Sequence, residues 1–367
     1  MKSLYQKYAD ILVNYSTGVK KGDLVSIKAE SHLAEPLVKE IYKLVLENGA
    51  HPLVRIGMPS LNELFIKYSN DEQLDFVDEM SKLEYEKVNK LISIGSPLNV
   101  KSMANVDSNK MAKRSKATRI LSQTMLKRAS EGELDWVIAD FPTHALAQEA
   151  KMSLDDYTEF LIQSCYLDLE NPKEKWVEIG KEQKRTVSIL DGTKKIRIKG
   201  EKTDIEFSVE NRKWISCDGK NNFPDGEIFT SPVENSANGE IFFDFPAIYR
   251  GNMATNISLK LENGKVVEAK ADTGEDFLLS MLNMDEGSRF VGEIAIGTNE
   301  RVKNVTGNIL FDEKIGGSIH MALGASYPET GGKNVSGLHW DIIKNMKNNS
   351  LIYADDKLIY KDGLFTI

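Results

Sequence analysis

Cysteine is nearly missing from this sequence. Cys165 and Cys217 are its two, and neither has a CxxC neighbour. Two cysteines cannot make a disulfide framework, so an apolar core must hold the chain and a reducing, cytoplasmic setting is expected. Each cysteine reads as a small buried hydrophobe. Long apolar runs are missing too: none approaches the ~20 residues of a membrane-spanning helix. Residues 1–12 (MKSLYQKYADIL) mix charge into their apolar positions and read as an amphipathic helix, not a signal peptide. Positive charge is in deficit, with 47 Lys and Arg against 55 Asp and Glu, a net charge of −8 and a pI near 5.4. That balance argues against nucleic acid or an anionic membrane as main partner, since both need a concentrated basic surface. The basic stretch at residues 110–119 (KMAKRSKATR) reads as a solvated helix face. No GxGxxG follows the first strand pattern and no GxxxxGK[ST] occurs anywhere, so nothing supports a nucleotide site.

What remains is soluble globular composition, 41% hydrophobic and 28% charged. A chain of 367 residues is too long for one ordinary core and suggests two domains. The first half alternates helix and strand patterns. Helical spacing covers residues 4–13, followed by a strand at 24–27. Ser31 is a plausible N-cap for a helix through Leu46 with Leu37, Val38, Ile41, Leu44 and Val45 on one face, closed by Asn48-Gly49. Strands follow at 51–56, in LISIGSP and at 134–139. Helices are expected at 60–68, 71–88 and 113–129. A further helix opens at Ser153, with Asp156 in the capping-box position, and runs to about Leu167. Short apolar strands alternating with helices predict an α/β domain with a mainly parallel sheet over residues 1–175.

The composition changes near Asn171-Pro172. Short alternating strands separated by turns then predict a mainly antiparallel β (α+β) domain over residues 185–367, with the boundary within 171–184. Strands are expected at 187–189, 196–198, 205–209, 241–245, 257–261 and 266–270. Asn263-Gly264 joins the last two as a strong hairpin signal. One helix is expected at 275–284. A terminal hairpin at 351–354 and 357–360 is followed by Asp362-Gly363.

Chemistry-bearing residues concentrate in residues 320–341, HMALGASYPETGGKNVSGLHWD. This stretch holds His320, Tyr327, His339 and Asp341, two of the chain's five histidines among them. On an extended segment the side chains of His339 and Asp341 share a face and can reach one ion. Imidazole with carboxylate suits Zn²⁺, Co²⁺ or Mn²⁺ better than Ca²⁺. Singly, each residue has a plainer reading: HxD as a hydrogen-bonded pair, His320 as a satisfied core histidine, Tyr327 as a half-buried tyrosine before proline. Glu227 in FPDGEIF reads equally as a strand-edge residue, and Glu313 in FDEKIGG as a turn residue. Glu293 is the informative one. Inside VGEIAIG it must be paired, protonated or bound to a cation, because a bare buried carboxylate costs several kcal/mol.

Several segments carry a family resemblance: CDGKNNFPDGEIFTSPVENSANGEIFFD, GSRFVGEIAIGTN, NILFDEKIGGSIHMALGASYPE and GLHWD, with GDLVSIKAE and DWVIADFPTHALAQEAKMSLDDYTEFL in the first half. Together they resemble the aminopeptidase T/aminopeptidase S family of metallopeptidases over nearly the whole chain. The resemblance implies a first α/β domain and a second, mainly β domain carrying two cocatalytic divalent ions (Zn, Co, Mn or Mg). It places Glu227, Glu293, Glu313, His320, His339 and Asp341 at ligand positions and Tyr327 at a site tyrosine. Glu293 would bridge the ions, Glu313 would be ligand or general base, and Tyr327 would hydrogen-bond the oxyanion. It implies peptide substrates with free N-termini and a homodimer. The sequence departs from the family at one point. The family has a tight DEN–x–x–x–H arrangement, whereas Asp312-Glu313 is followed here by KIGGSI before His320, without the Asn. An amidase acting on small molecules and a non-catalytic peptide-binding protein are the alternative functions.

Overall fold

The structure is a computed structural model and describes residues 2–249 and 251–367. The chain divides into two compact units. The first runs to Glu174 and also takes Gly219–Pro224; the second comprises Lys175–Asp218 and Asp225–Ile367.

The first unit is built on a parallel sheet in the order His51–Ile56, Leu24–Ala29, Lys90–Gly95, Asp135–Asp140 and Asn222–Phe223. Its inner strands are short apolar runs, and Val25, Ile27, Leu91, Ile92, Ile94 and Val137 are buried. Helices connect the strands, as their alternation in the sequence requires. In the Glu35–Glu47 helix, Leu37, Val38, Ile41 and Val45 fall on one stripe and are buried, worth roughly 6–12 kcal/mol of gross transfer free energy. Ser31 caps the 3-10 turn His32–Ala34 that leads into that helix, by accepting from Leu33 N. Gly49, at φ +73°, ends it. Ser153 caps the Leu154–Ser164 helix, accepting from Asp156 N while its hydroxyl donates to Asp156 Oδ2. That helix stops at Ser164, short of Leu167.

Three stretches differ from their sequence patterns. The Leu4–Asp10 helix continues as a π-helix over Ile11–Ser16 instead of ending at Val13. The single helix expected over 71–88 is two, Asp71–Asp75 and Glu79–Lys87. The Asp78 carboxylate accepts Ser81 N at 2.8 Å, a local bond that restarts the helix. Residues 187–189 are not a strand but the end of the helix Pro172–Leu190. Pro172 is that helix's first residue, where its missing N–H costs nothing. A short helix, His144–Glu149, capped by Thr143, was not signalled.

The second unit is mainly antiparallel. One sheet has eight strands, in the order Lys265–Lys270, Ile257–Glu262, Asn238–Phe243, Thr203–Ser208, Lys195–Gly200, Leu351–Ala354, Lys357–Lys361 and Leu364–Phe365. Asn263 and Gly264 turn its first hairpin at φ +50° and +81°, the left-handed pair of a type I′ turn. The other sheet has five strands, in the order His339–Asn345, Ser318–Gly324, Val291–Gly297, Glu227–Thr230 and Ile215–Cys217. Ile228, Ile294, Ile296, Ile319, Met321, Leu323, Trp340 and Ile342 of this sheet join Ile196, Ile198, Phe207 and Leu259 of the larger one in a single apolar core. No helix among the described residues is long and apolar enough to cross a membrane.

Candidate metal centre

Strand alternation assigns the core face of the five-stranded sheet to the residues just named. The intervening residues fall on the opposite face. Glu293 pairs with Ala322, and Ala322 with Asp341, in one row across three strands. In the neighbouring rows, His320 pairs with Ala295, and Gly324 with His339. Glu227 pairs with Gly297. The small residues between the polar ones leave room over the sheet. The register shifts between Val291 and Glu293, a bulge at Gly292, where a Cβ would lie 2.2 Å from Ala325 O. A bulge re-aims the side chain that follows it, here Glu293.

All six predicted ligand positions meet. Ligand atoms of Glu227, Glu293 and His320 lie within 4.8 Å of one another, as do those of Glu293, His339 and Asp341, and those of Glu313, His320 and Asp341. Glu293, at 4% exposure, splits its two oxygens: Oε1 is 3.6 Å from His320 Nε2, and Oε2 is 3.3 Å from His339 Nε2. Glu313 arrives from outside the sheet, capping the short helix Ile309–Asp312. Its longer spacing to His320 does not remove it from the cluster.

Both imidazoles are oriented by backbone. His320 Nδ1 lies 3.1 Å from Glu313 O and His339 Nδ1 2.9 Å from Ala325 O. A carbonyl only accepts, so each Nδ1 carries a proton, and in the neutral ring each Nε2 presents its lone pair to the carboxylates. Glu227 Oε2 and Asp341 Oδ1 are buried without a hydrogen-bond partner among the described residues. They lie 3.4 Å and 3.5 Å from His320 Nε2 and His339 Nε2. Buried carboxylate oxygens left unbonded beside imidazole lone pairs fit a divalent cation.

The charges of the cluster show the same need. Burial pushes the Glu227 carboxyl up to about 8, against the pull of Lys314. Burial also raises Glu313. The imidazoles go the other way: burial opposes their charge, but Glu293 and Glu227 carry His320 up to about 10, and Asp341 with Glu293 carries His339 up to about 12. A dication answers this excess negative charge and displaces those protons.

Tyr327 stands at the edge. Its ring meets His339 edge-on at 5.0 Å and Phe229 at 5.4 Å. Although the residue is 40% exposed, desolvation around its hydroxyl, then the Glu293 and Asp341 charges, hold that group above the usual phenol range, so it stays a proton donor. Phe229 is on the same sheet face, whereas Phe243 belongs to the core.

Lys314 also stands in the cluster. It is fully buried, with its ammonium 2.5 Å from Glu227 Oε1, 2.7 Å from Glu313 Oε1 and 3.5 Å from Asp225 Oδ1. Burial opposes its charge, and Glu227, Glu313 and Asp225 more than offset it. In the sequence Lys314 looks like an ordinary turn lysine, and no periodic pattern marks it.

The chain is 25% identical to aminopeptidase AmpS of Bacillus subtilis, across 99% of this chain and 94% of that protein. It is 25% identical to aminopeptidase 2 of Geobacillus stearothermophilus, across 95% and 90%. The solved structure of wild-type AmpT from Thermus thermophilus superposes with a TM-score of 0.86 at 21% identity, covering 99% of each chain, and so shares the fold. The family model described as thermophilic metalloprotease (M29) matches residues 1–365. A cluster that asks for metal, on a sheet within this fold, agrees with that match, and the chain belongs to the thermophilic metalloprotease (M29) family.

Proposed function

We propose that this protein is a metalloaminopeptidase that removes N-terminal residues from peptides with two cocatalytic divalent ions. The observation that carries the reading is Glu293, whose two oxygens face two different histidines, with Glu227 and Asp341 on the same sheet face beside those histidines. Glu227, Glu293 and His320 would hold one ion. Glu293, His339 and Asp341 would hold the other, with Glu293 shared. Bound there, divalent metal would supply Lewis-acid charge that activates water and polarises the scissile carbonyl.

The chain's own groups do the rest. Ala325 O and Glu313 O fix the imidazole orientations. Tyr327, protonated, donates a hydrogen bond to the developing oxyanion. Glu313 is the remaining carboxylate: as a ligand it completes the Glu313–His320–Asp341 group, and as a general base it accepts the water proton and returns it to the leaving amine. The acidic surroundings favour a substrate's free α-ammonium, consistent with cleavage at the N-terminus. Relatives bearing the name aminopeptidase support this choice over an endopeptidase or amidase. We further place the protein in the cytoplasm as a homodimer, which fractionation and sedimentation would check.

Purified protein incubated with Zn²⁺, Co²⁺ or Mn²⁺ should cleave aminoacyl chromogenic substrates and reject N-terminally blocked ones. The Glu293→Ala variant should lose bound metal. Failure to cleave with any of the metals would sink the proposal.

A further inference from the structure

A second group of metal-competent donors adjoins the shared centre. Cys217 Sγ and carboxylate oxygens of Asp225 and Glu227 lie within 4.8 Å of one another. Thiolate with two carboxylates is a donor set that zinc or cobalt accepts. Lys314 reaches into this nest. Its ammonium contacts two of the three donors, Glu227 Oε1 at 2.5 Å and Asp225 Oδ1 at 3.5 Å, and holds Glu313 Oε1 at 2.7 Å. The backbone keeps it there. Asn299 N donates to Lys314 O at 3.0 Å, and Asn299 Nδ2 donates to Asp225 O at 2.9 Å, so one residue ties the lysine and its carboxylate partner together. An ion bound to the same oxygens at about 2.0–2.3 Å would overlap the ammonium.

We propose that Lys314 is a built-in cation that fills the Cys217–Asp225–Glu227 nest, so that this thiol-bearing position takes no metal and Glu227 offers only Oε2 to the centre it shares with Glu293 and His320. Lys314 is thus a positioning residue: it touches neither substrate nor ion, and acts by holding one oxygen each of Glu227 and Glu313. A fixed monovalent cation here limits the number of ions without leaving the nest's carboxylates bare. The inference rests on the metal-binding reading of the cluster.

Cobalt(II) is the probe, because a thiolate ligand announces itself by a ligand-to-metal charge-transfer absorption. Full-length wild type titrated with Co²⁺ should bind the ion with no thiolate band, and Cys217→Ser should match it in stoichiometry and spectrum. Lys314→Ala, with Lys314→Met as the variant that keeps the stem, should take up about one additional cobalt per chain and gain the thiolate band. Adding Cys217→Ser to either should remove the band. A thiolate band in wild type overturns the inference, as does a folded lysine variant with unchanged stoichiometry and spectrum. If neither lysine variant folds, the comparison of wild type with Cys217→Ser still decides. Wild type that binds no cobalt at all overturns the metal-centre reading, and this inference with it.

Discussion

Both units of the molecule bury glutamate, and Glu84 in one and Glu293 in the other are answered differently. Glu84, in the first unit, accepts from Ser26 Oγ at 2.7 Å and Arg55 Nε at 2.7 Å, and pairs with Lys28 at 3.2 Å. Its charge is met by cations of its own chain. Glu293, in the second, faces two imidazoles, with the carboxylates of Asp341 and Glu227 near the same imidazoles. Burial opposes ionisation in both, and in both the partners win and the carboxyl sits below its usual range. The difference lies in what remains unmet. Around Glu84 the ion pairs close. Around Glu293 two neighbouring carboxylate oxygens have no hydrogen-bond partner among the described residues. A buried carboxylate closed by arginine and lysine is architecture; one grouped with further carboxylates and imidazoles is a place for a cation from solution.

The comparison can be broken at either glutamate. The largest expected effect is on the metal: exhaustive chelation should abolish peptidase activity and leave the first unit folded, with activity restored by added Zn²⁺, Co²⁺ or Mn²⁺, read by chromogenic assay and circular dichroism. Next, Glu293→Gln keeps the shape but halves the acceptor capacity and removes the charge; kcat should fall by about 10³-fold or more, with bound metal reduced by elemental analysis. An unchanged metal content would place Glu293 with Glu84 as architecture. Third, Tyr327→Phe deletes one oxyanion donor and should lower kcat by about 10–100-fold at nearly constant KM and unchanged metal content. Smallest is Glu84→Gln, expected to cost about 1–2 kcal/mol of stability at neutral pH, because Arg55 is half exposed and water recovers part of the loss. Its sign with pH is fixed. Glu84 is lowered in the folded state, so its contribution is full above the unfolded value near ~4.3 and is lost as pH falls through the folded value. Urea midpoints of wild type and Glu84→Gln should therefore converge in acid, while peptidase activity at neutral pH is unaffected.

Much of the architecture was legible because its signals are local. Asn263-Gly264 adopts the left-handed conformations a two-residue hairpin needs, and Ser153 caps its helix with Asp156. The failures are local as well. Residues 187–189 are too few to separate a period of 2 from one of 3.6; the longer pattern of Trp176, Ile179 and Leu190, all buried within one helix, resolves them. The break at 76–78 turns on one Asp78–Ser81 hydrogen bond. At the site, Glu293 was legible from its apolar neighbours alone. Glu227 and Glu313 were not, since each follows or ends a turn and carries no periodic signal. The family pattern supplied them, and the fold brings them within reach of the late histidines.

Alternation along strands and the positions of turns are written locally, because period-2 burial and asparagine-glycine turns are set over a few residues. They therefore fix two kinds of sheet and set a glutamate inside a buried strand. It takes the packed fold to bring Glu227, Glu293, His320, His339 and Asp341 onto one sheet face with Glu313 alongside, and to stand Lys314 among them. Electrostatic partnership acts through space over a few ångströms, between residues as far apart in the chain as Glu227 and Asp341, and the register of four antiparallel strands makes those distances short.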